Sequence, residues 1–541
     1  MSRFIGNYTN HTLKVAAGVA LLLATTTLTA TADSFVLKPE RASDVASAKA
    51  PQLTAADKEQ LLQRFLEKRE RAAATAVPAA EASDLGAAPA LSDVGATDPV
   101  DAASEVPNTL RIGRNLRNTR AQSAANSTLA EPAAINNRAQ VFYAGNFSHI
   151  EVSTNHGSTY SALTLPAGPS DAPISCCDND MAVDEATRTG FHAYLYINSA
   201  TDNGVVRIFV KNPSSLGSTK CSYLIDPGGA NNDILPDYPH IAVSKNKLYL
   251  TINGLKKTGG SFARIYRFDM AQMRSCVTTS TQSFTQNEGA IGQRVWVPAG
   301  GGYTQTRMMW VQNESSSSMR VFNWNEADAA PTSVVRTVAS SNFSNPDCRG
   351  GIGNFDFIER GTAWGIGGFR TRCTMASGVD QTTPVLACYN HSAPQTNRPN
   401  SYLRGTVFRI SDRVLLSQPD LFSTSACWGY PAMDSNNRGN IGMSVAYGGK
   451  NGGGGAAVRG VVRLSTPTGS SSTYVSAGVA NRSDGRYGDY STIHRYMGCS
   501  AWFGATAYSW MTSPVDAAAD VDARWVEFGR EGDLACYNAN Q

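Results

Sequence analysis

The sequence predicts an all-β protein built as a β-propeller, a ring of six or seven small antiparallel sheets, with seven the preferred count. Three observations predict it. From Arg138 onward, short β-rich runs follow one another with Gly, Asn, Asp and Ser between them and almost no helical periodicity. Three segments, Asp180-Met-Ala-Val, Tyr238-Pro-His-Ile-Ala-Val and Tyr430-Pro-Ala-Met-Asp434, read as starts of one repeated unit, each followed by a longer apolar strand. The repeat they imply is about fifty to sixty residues. So many strands at close spacing suit radial repetition, which leaves few exposed edges, better than one open sheet. An elongated array of β-sandwiches is the alternative.

Taken in order, the chain opens on a secretory signal over residues 1–32. Arg3 and Lys14 carry positive charge, Val15 to Leu28 form a short apolar stretch, and Ala30-Thr31-Ala32 is a small-residue cleavage site before Asp33. Residues 33–137 are rich in Ala, Pro, Ser and charge and poor in aromatics, and are read as a pro-region or linker. One helix is predicted there, capped by Thr54 with Asp57 three residues on, and with Leu62, Phe65 and Leu66 on one face. The basic stretch Arg111, Arg114, Arg117 and Arg120 reads as a solvated linker or a processing site. Residues 138–541 form the propeller, with strands near Val141 closing the ring against the C-terminal ones.

The 541 residues include 42% hydrophobic and 17% charged residues, ample for a large core. Lys and Arg total 47 against 44 Asp and Glu, and a net charge of +3 gives no field that calls for nucleic acid. After the leader no segment approaches the length of a membrane span, so a secreted or periplasmic, soluble monomer is expected. Ten cysteines suit an oxidising compartment and as many as five disulfides. Cys221 with Cys276 and Cys373 with Cys388 are the pairs suggested, while adjacent Cys176 and Cys177 are expected to find separate partners. Six tryptophans, Trp296, Trp310, Trp324, Trp364, Trp428 and Trp502, are read as blade core, with one or two left to stack on sugar rings.

Two stretches carry a resemblance. Ser153-Thr-Asn155-His-Gly157-Ser-Thr159-Tyr160 resembles the Asp-box, S-x-D-x-G-x-T-W, of sialidase-like propellers, with Asn for Asp and Tyr for Trp. Such a turn needs a short acceptor side chain, a glycine at positive φ and an aromatic pin, which are structural roles. Asp237-Tyr-Pro-His-Ile-Ala-Val, Phe268-Asp-Met before Cys276, and Arg486-Tyr-Gly-Asp489-Tyr490-Ser491 resemble a group of secreted bacterial propellers with a D-Y-P strand and an R-W-G-D-Y-S segment. The resemblance implies export and a propeller and supplies no activity. The Arg-[IL]-Pro segment of true sialidases is missing, and no spacing groups Arg349, Arg404 and Arg486 into a carboxylate-binding triad.

Acidic and aromatic residues recur at the predicted blade starts, where they would converge on one mouth of the axial channel. The candidate catalytic residues are Asp178, Asp180, Asp237, His240, Arg486, Asp489 and Tyr490. Of these, Asp178, Asp180, Asp237 and Asp489 are also candidate metal ligands, with calcium as the ion such carboxylates would hold. The structural alternative is that each Asp caps its loop on backbone amides. The function expected is a secreted propeller that binds, or binds and cleaves, an extracellular carbohydrate or similar polymer at that mouth. A non-catalytic adhesion or protein-interaction scaffold, and a hydrolase of a non-glycan polymer, are the alternatives.

Overall fold

A computed structural model of the chain describes residues 32–41, 92–93, 109–118 and 131–541, apart from 147–148, 199, 202, 230–232, 258–259, 288–294, 340–347, 349–356, 359–370, 450–455, 477, 479–486, 489–490 and 512–520. The signal segment, the Thr54 helix, the triplet Arg486, Asp489 and Tyr490, Arg349 and Trp364 lie outside these residues.

Seven antiparallel sheets surround one axis. From the inside outward, blade 1 comprises Ala133–Asn137, Gln140–Ala144, Ile150–Ser153 and Ser161–Ala162. Blade 2 runs Ile174–Asp184, Thr189–Asn198, Asn203–Asn212 and Ser215–Ile225, and blade 3 runs Ile234–Val243, Lys247–Lys256, Ser261–Asp269 and Thr279–Asn287. Blade 4 comprises Arg307–Ser315, Ser318–Asn325 and Thr332–Thr337. Its innermost segment is irregular: Ala299 N donates to Met309 O at 3.0 Å, and Gly300 forms a parallel bridge with Thr374 of blade 5. Blade 5 holds Arg372–Ala376, Val385–Ser392, Tyr402–Arg409 and Pro419–Leu421, and blade 6 holds Cys427–Ser435, Ile441–Gly449, Ala456–Thr466 and Gly469–Tyr474. Blade 7 is Ile493–Arg495, Phe503–Ala507 and Arg524–Arg530, completed by Leu110–Arg117 from the other end of the chain.

That last pairing corrects two expectations. The ring is closed by residues 110–117 against 524–530, and the strands near Val141 belong wholly to blade 1. The basic stretch is therefore a strand and not a linker. Its arginines face acidic residues, Arg111 with Glu531 at 3.5 Å, Arg114 with buried Glu527 at 3.5 Å, and Arg117 with buried Asp522 at 3.2 Å. The boundary expected at 138 also divides blade 1, since Ala133–Asn137 is its inner strand. Three more N-terminal pieces add rim strands: Asp33–Leu37 on blade 3, Glu40–Arg41 on blade 2 and Ser92–Asp93, in parallel, on blade 5. Composition hid them because an outer edge strand needs only backbone pairing and tolerates exposed polar side chains.

The core lies between neighbouring blades, where long strands bury both faces. Trp310 stacks on Phe322 with centroids 4.9 Å apart, and Trp502 stacks on Tyr537 at 4.0 Å. All five described tryptophans of the predicted set are at most 1% exposed, so none of them offers a sugar-stacking face. Five disulfides pair all ten cysteines, among them Cys221–Cys276, Cys373–Cys388, Cys348–Cys427 and Cys499–Cys536. Cys176 and Cys177 pair with each other, contrary to expectation, since the other eight cysteines are already matched. In the turn after Ile150–Ser153, Asn155 Oδ1 accepts from Thr159 N at 2.9 Å and Ser153 Oγ accepts from Gly157 N at 2.8 Å. Gly157 has φ of 82°, and a Cβ there would lie 2.9 Å from the Trp525 ring.

Candidate functional site

The inner strands of blades 2, 3 and 6 share one local device. Each breaks register with its neighbour, around Cys176 to Asp178, between Asp237 and His240, and between Gly429 and Ala432. In each break one residue sits at positive φ: Cys177 and Tyr238 at 55°, Tyr430 at 50°. Holding a non-glycine residue there costs about 1–3 kcal/mol and requires compensation. The preceding blade supplies it. Asp178 Oδ2 accepts from Tyr238 N at 3.0 Å, and His391 Nε2 accepts from Tyr430 N at 2.7 Å. A bulge re-aims the side chains beyond it, and here it brings Asp180 and Asp434 to the axis.

They meet at an axial cavity of about 60 Å³, room for a few waters. Polar side chains reach it from separate blades: Asp180 from blade 2, Arg372 from blade 5, Asp434 from blade 6, Ser491 and His494 from blade 7, with Tyr303 from the loop before blade 4. Apolar walls come from Ile241, Val243, Val297 and Met433. The loop Gly300-Gly301-Gly302 crosses the axis at the C-terminal ends of the inner strands. A Cβ on Gly302 would lie 2.3 Å from Val243 O of blade 3, and one on Gly301 2.2 Å from Met375 O of blade 5 and 2.4 Å from Ser435 Oγ of blade 6. Only bare backbone passes between three strands this closely. The loop therefore narrows the cavity at that end.

Asp180 Oδ2 accepts from His240 Nδ1 at 2.8 Å and from Ile241 N at 3.1 Å, and its Oδ1 accepts from Met181 N at 2.8 Å. Arg372 lies against the same ring, its Nη2 3.0 Å from His240 Nε2 and its Nη1 3.1 Å from Nδ1. Arg372 also donates to Tyr238 Oη at 3.2 Å. Burial opposes charge on Asp180, but the hydrogen bond and charge of His240, with Arg372 and His494, hold its carboxyl below the usual range. Asp434 goes the other way. Burial pushes its carboxyl up, against the pull of His494 and Arg495 and the hydrogen bonds from Tyr303 and Ser435. Tyr303 Oη donates to Asp434 Oδ2 at 2.6 Å, Arg495 N at 3.0 Å, and Ser435 N donates to Oδ1 at 2.8 Å. Burial also lowers His494, opposed by the charges of Asp434 and Asp180. Two carboxyls in one cavity are thus driven apart in acidity, the pattern that separates an acid from a base.

Of the residues expected at the mouth, Asp180 and His240 are joined as described. Asp178 is buried, accepts from Tyr238 N at the blade 3 bulge, and is not among the residues that line the cavity. Asp237 is fully buried opposite Asn253 and is also absent from the lining. Among the described residues no three His, Cys, Asp or Glu side chains gather to hold a metal ion, and the fourth candidate ligand, Asp489, lies outside those residues. Arg404 lies away from the axis, 2.6 Å from buried Asp420. Sequence reasoning missed Arg372, Tyr303 and the role of Asp434. The repeated Tyr-Pro of Tyr238 and Tyr430 was the signal for Asp434, because it marks equivalent bulges.

No family model matches the chain, and no curated protein matches it. Several solved structures are similar in fold. The Trypanosoma rangeli sialidase in complex with 2,3-difluorosialic acid is 11% identical, with 70% of this chain and 56% of that one covered and a TM-score of 0.33. The GH43 endo-arabinanase from Bacillus licheniformis is 11% identical over 64% and 98%, with a TM-score of 0.28. A prolyl endopeptidase is 9% identical over 78% and 53%, with a TM-score of 0.33. Likeness this distant, spread over glycosidases and a peptidase, carries no argument about chemistry.

Proposed function

We propose that the protein binds an extracellular glycan across the open mouth of the axial cavity and hydrolyses it, with Asp434 as general acid and Asp180 as general base. The observation that supports this reading is the convergence of Asp180, Arg372, Asp434 and His494 from four blades on one small cavity. Asp434, whose carboxyl burial pushes up, gives its proton to the glycosidic oxygen. Asp180, kept ionised, takes a proton from the water that attacks the anomeric carbon, and His240 and Arg372 fix the orientation of its carboxylate. The course proposed is direct attack by water, with inversion at the anomeric carbon. The five disulfides and the leader read from the sequence fit work outside the cytoplasm.

A second reading has an observation of its own. The Asp434 oxygens already accept three hydrogen bonds and those of Asp180 another three, which is how a polar core that only ties blades together would look. The protein would then be a non-catalytic binding scaffold. One experiment separates the two: a panel of polysaccharides scored for binding by the mature protein and for new reducing ends. Release of reducing ends that Asp434→Asn abolishes supports hydrolysis, and binding without release that survives Asp434→Asn supports the scaffold.

A further inference from the structure

Hydrolysis with inversion leaves this site in the wrong protonation state. After one turnover Asp434 is ionised and Asp180 carries the proton taken from water, so the next turnover needs that proton moved back across the cavity. His494 lines the same cavity and interacts electrostatically with both carboxyls, and its Nε2 is buried with no hydrogen-bond partner among the described residues. The ring's remaining bond is to the backbone of Met181, the residue after Asp180, while the backbone N–H of Arg495, the residue after His494, is held by Asp434 at 3.0 Å. A bond from Nδ1–H to that backbone leaves the Nε2 lone pair facing the cavity, free to take up a proton.

We infer that His494 is a proton carrier which, after each hydrolytic turnover, accepts the proton from Asp180 at Nε2 and delivers it to Asp434. The inference rests on the hydrolytic reading above. The balance closes without a further reactant: water is split between the two sugar fragments, Asp180 returns to carboxylate, Asp434 to carboxylic acid, and His494 passes through imidazolium back to imidazole. The cavity holds only a few waters, so an internal carrier shortens the return path of the proton.

The test compares first and later turnovers on whichever polysaccharide of the panel is cleaved, for the wild type, His494→Gln and His494→Ala, with thermal melts confirming that each variant is folded. The expected result is a first-turnover rate that falls far less than the steady-state rate, the first turnover being touched only through the charge of His494 on Asp180 and Asp434. Steady-state turnover should be at least tenfold slower, in line with the size of general acid–base effects. Added imidazole should restore the steady-state rate of His494→Ala and leave its first turnover unchanged. A merely structural histidine would lower both phases together, and that result, or no loss in either, overturns the inference. Product formed with retained anomeric configuration overturns it as well, because the acid would then be reloaded during the second half of the reaction. Absence of hydrolysis by the wild type overturns both the inference and the reading under it, whereas the earlier outcomes leave hydrolysis standing.

Discussion

Replacing Lys211 by Met should stabilise the protein below pH 7 and do little at pH 10.5. Lys211 lies between blades 1 and 2, 3% exposed, its Nζ 3.9 Å from the Phe142 ring centroid and 3.3 Å from Thr219 Oγ1. His192, equally buried and lowered by burial and by Lys211, is the titratable neighbour that faces it. Burial takes the Lys211 ammonium from 10.5 down to about 7. At 1.36 kcal/mol per pH unit that fall amounts to about 5 kcal/mol. The Phe142 face returns up to about 2 kcal/mol to the charged form, so a net cost of about 3 kcal/mol remains. Lys211 is a base with its folded value below its unfolded one. Between pH 7 and 10.5 the unfolded chain therefore holds the extra proton, and stability rises with pH across that window. Below pH 7 both states are protonated and the whole cost is present. Met fills the same space without charge, so the difference in melting temperature between variant and wild type should be roughly 3 °C at pH 6 and should shrink to nothing near pH 10.5. Scanning fluorimetry of both proteins across that range measures it. A variant that melts at or below wild type at pH 6, or a difference that does not change with pH, would refute the reasoning.

A chain beginning at Arg138 lacks the outer strand of blade 7 and the inner strand of blade 1, and should aggregate or unfold without cooperativity. A chain beginning at Thr109 keeps both and should give a single transition by circular dichroism. Asp434→Asn should leave the melting temperature at pH 7 unchanged or raised, because burial already favours its neutral form. Asp180→Asn removes a charged acceptor from His240 and should cost about 1–3 kcal/mol in chemical denaturation; equal effects of the two substitutions would contradict their opposite environments. Converting both Cys221 and Cys276 to Ser opens a link spanning 55 residues of sequence and should lower stability by about 4 kcal/mol from loop entropy, checked by denaturant titration.

Much of the fold was legible because alternation and turn chemistry are local. Runs such as Lys247–Lys256 and Thr189–Asn198 declare themselves as strands, and the Tyr-Pro repeats mark inner strands. Within the site, Asp180 and His240 were legible from the same repeats. Arg372 was not, since it opens a strand with no repeat signature and meets its partners, Tyr238 and His240, from another blade. Tyr303 is a loop residue whose partner, Asp434, stands more than a hundred positions away in sequence. Asp178, Asp180 and Asp237 look alike as acidic residues at blade starts. Their environments separate them: one accepts a backbone amide, one bonds a histidine at the axis, and one is wholly enclosed.

By itself the sequence determined that the chain forms a ring of antiparallel sheets, because side-chain alternation and turn residues act within a few positions of each other. It also suggested two of the five disulfides. The tertiary structure alone decided how the ring closes and which carboxyls share a cavity. Closure depends on Leu110–Arg117 finding Arg524–Arg530 across the whole chain, a pairing made by backbone groups that every residue carries. The acidities of Asp180 and Asp434 depend on which charges burial places beside them, and those charges arrive from different blades.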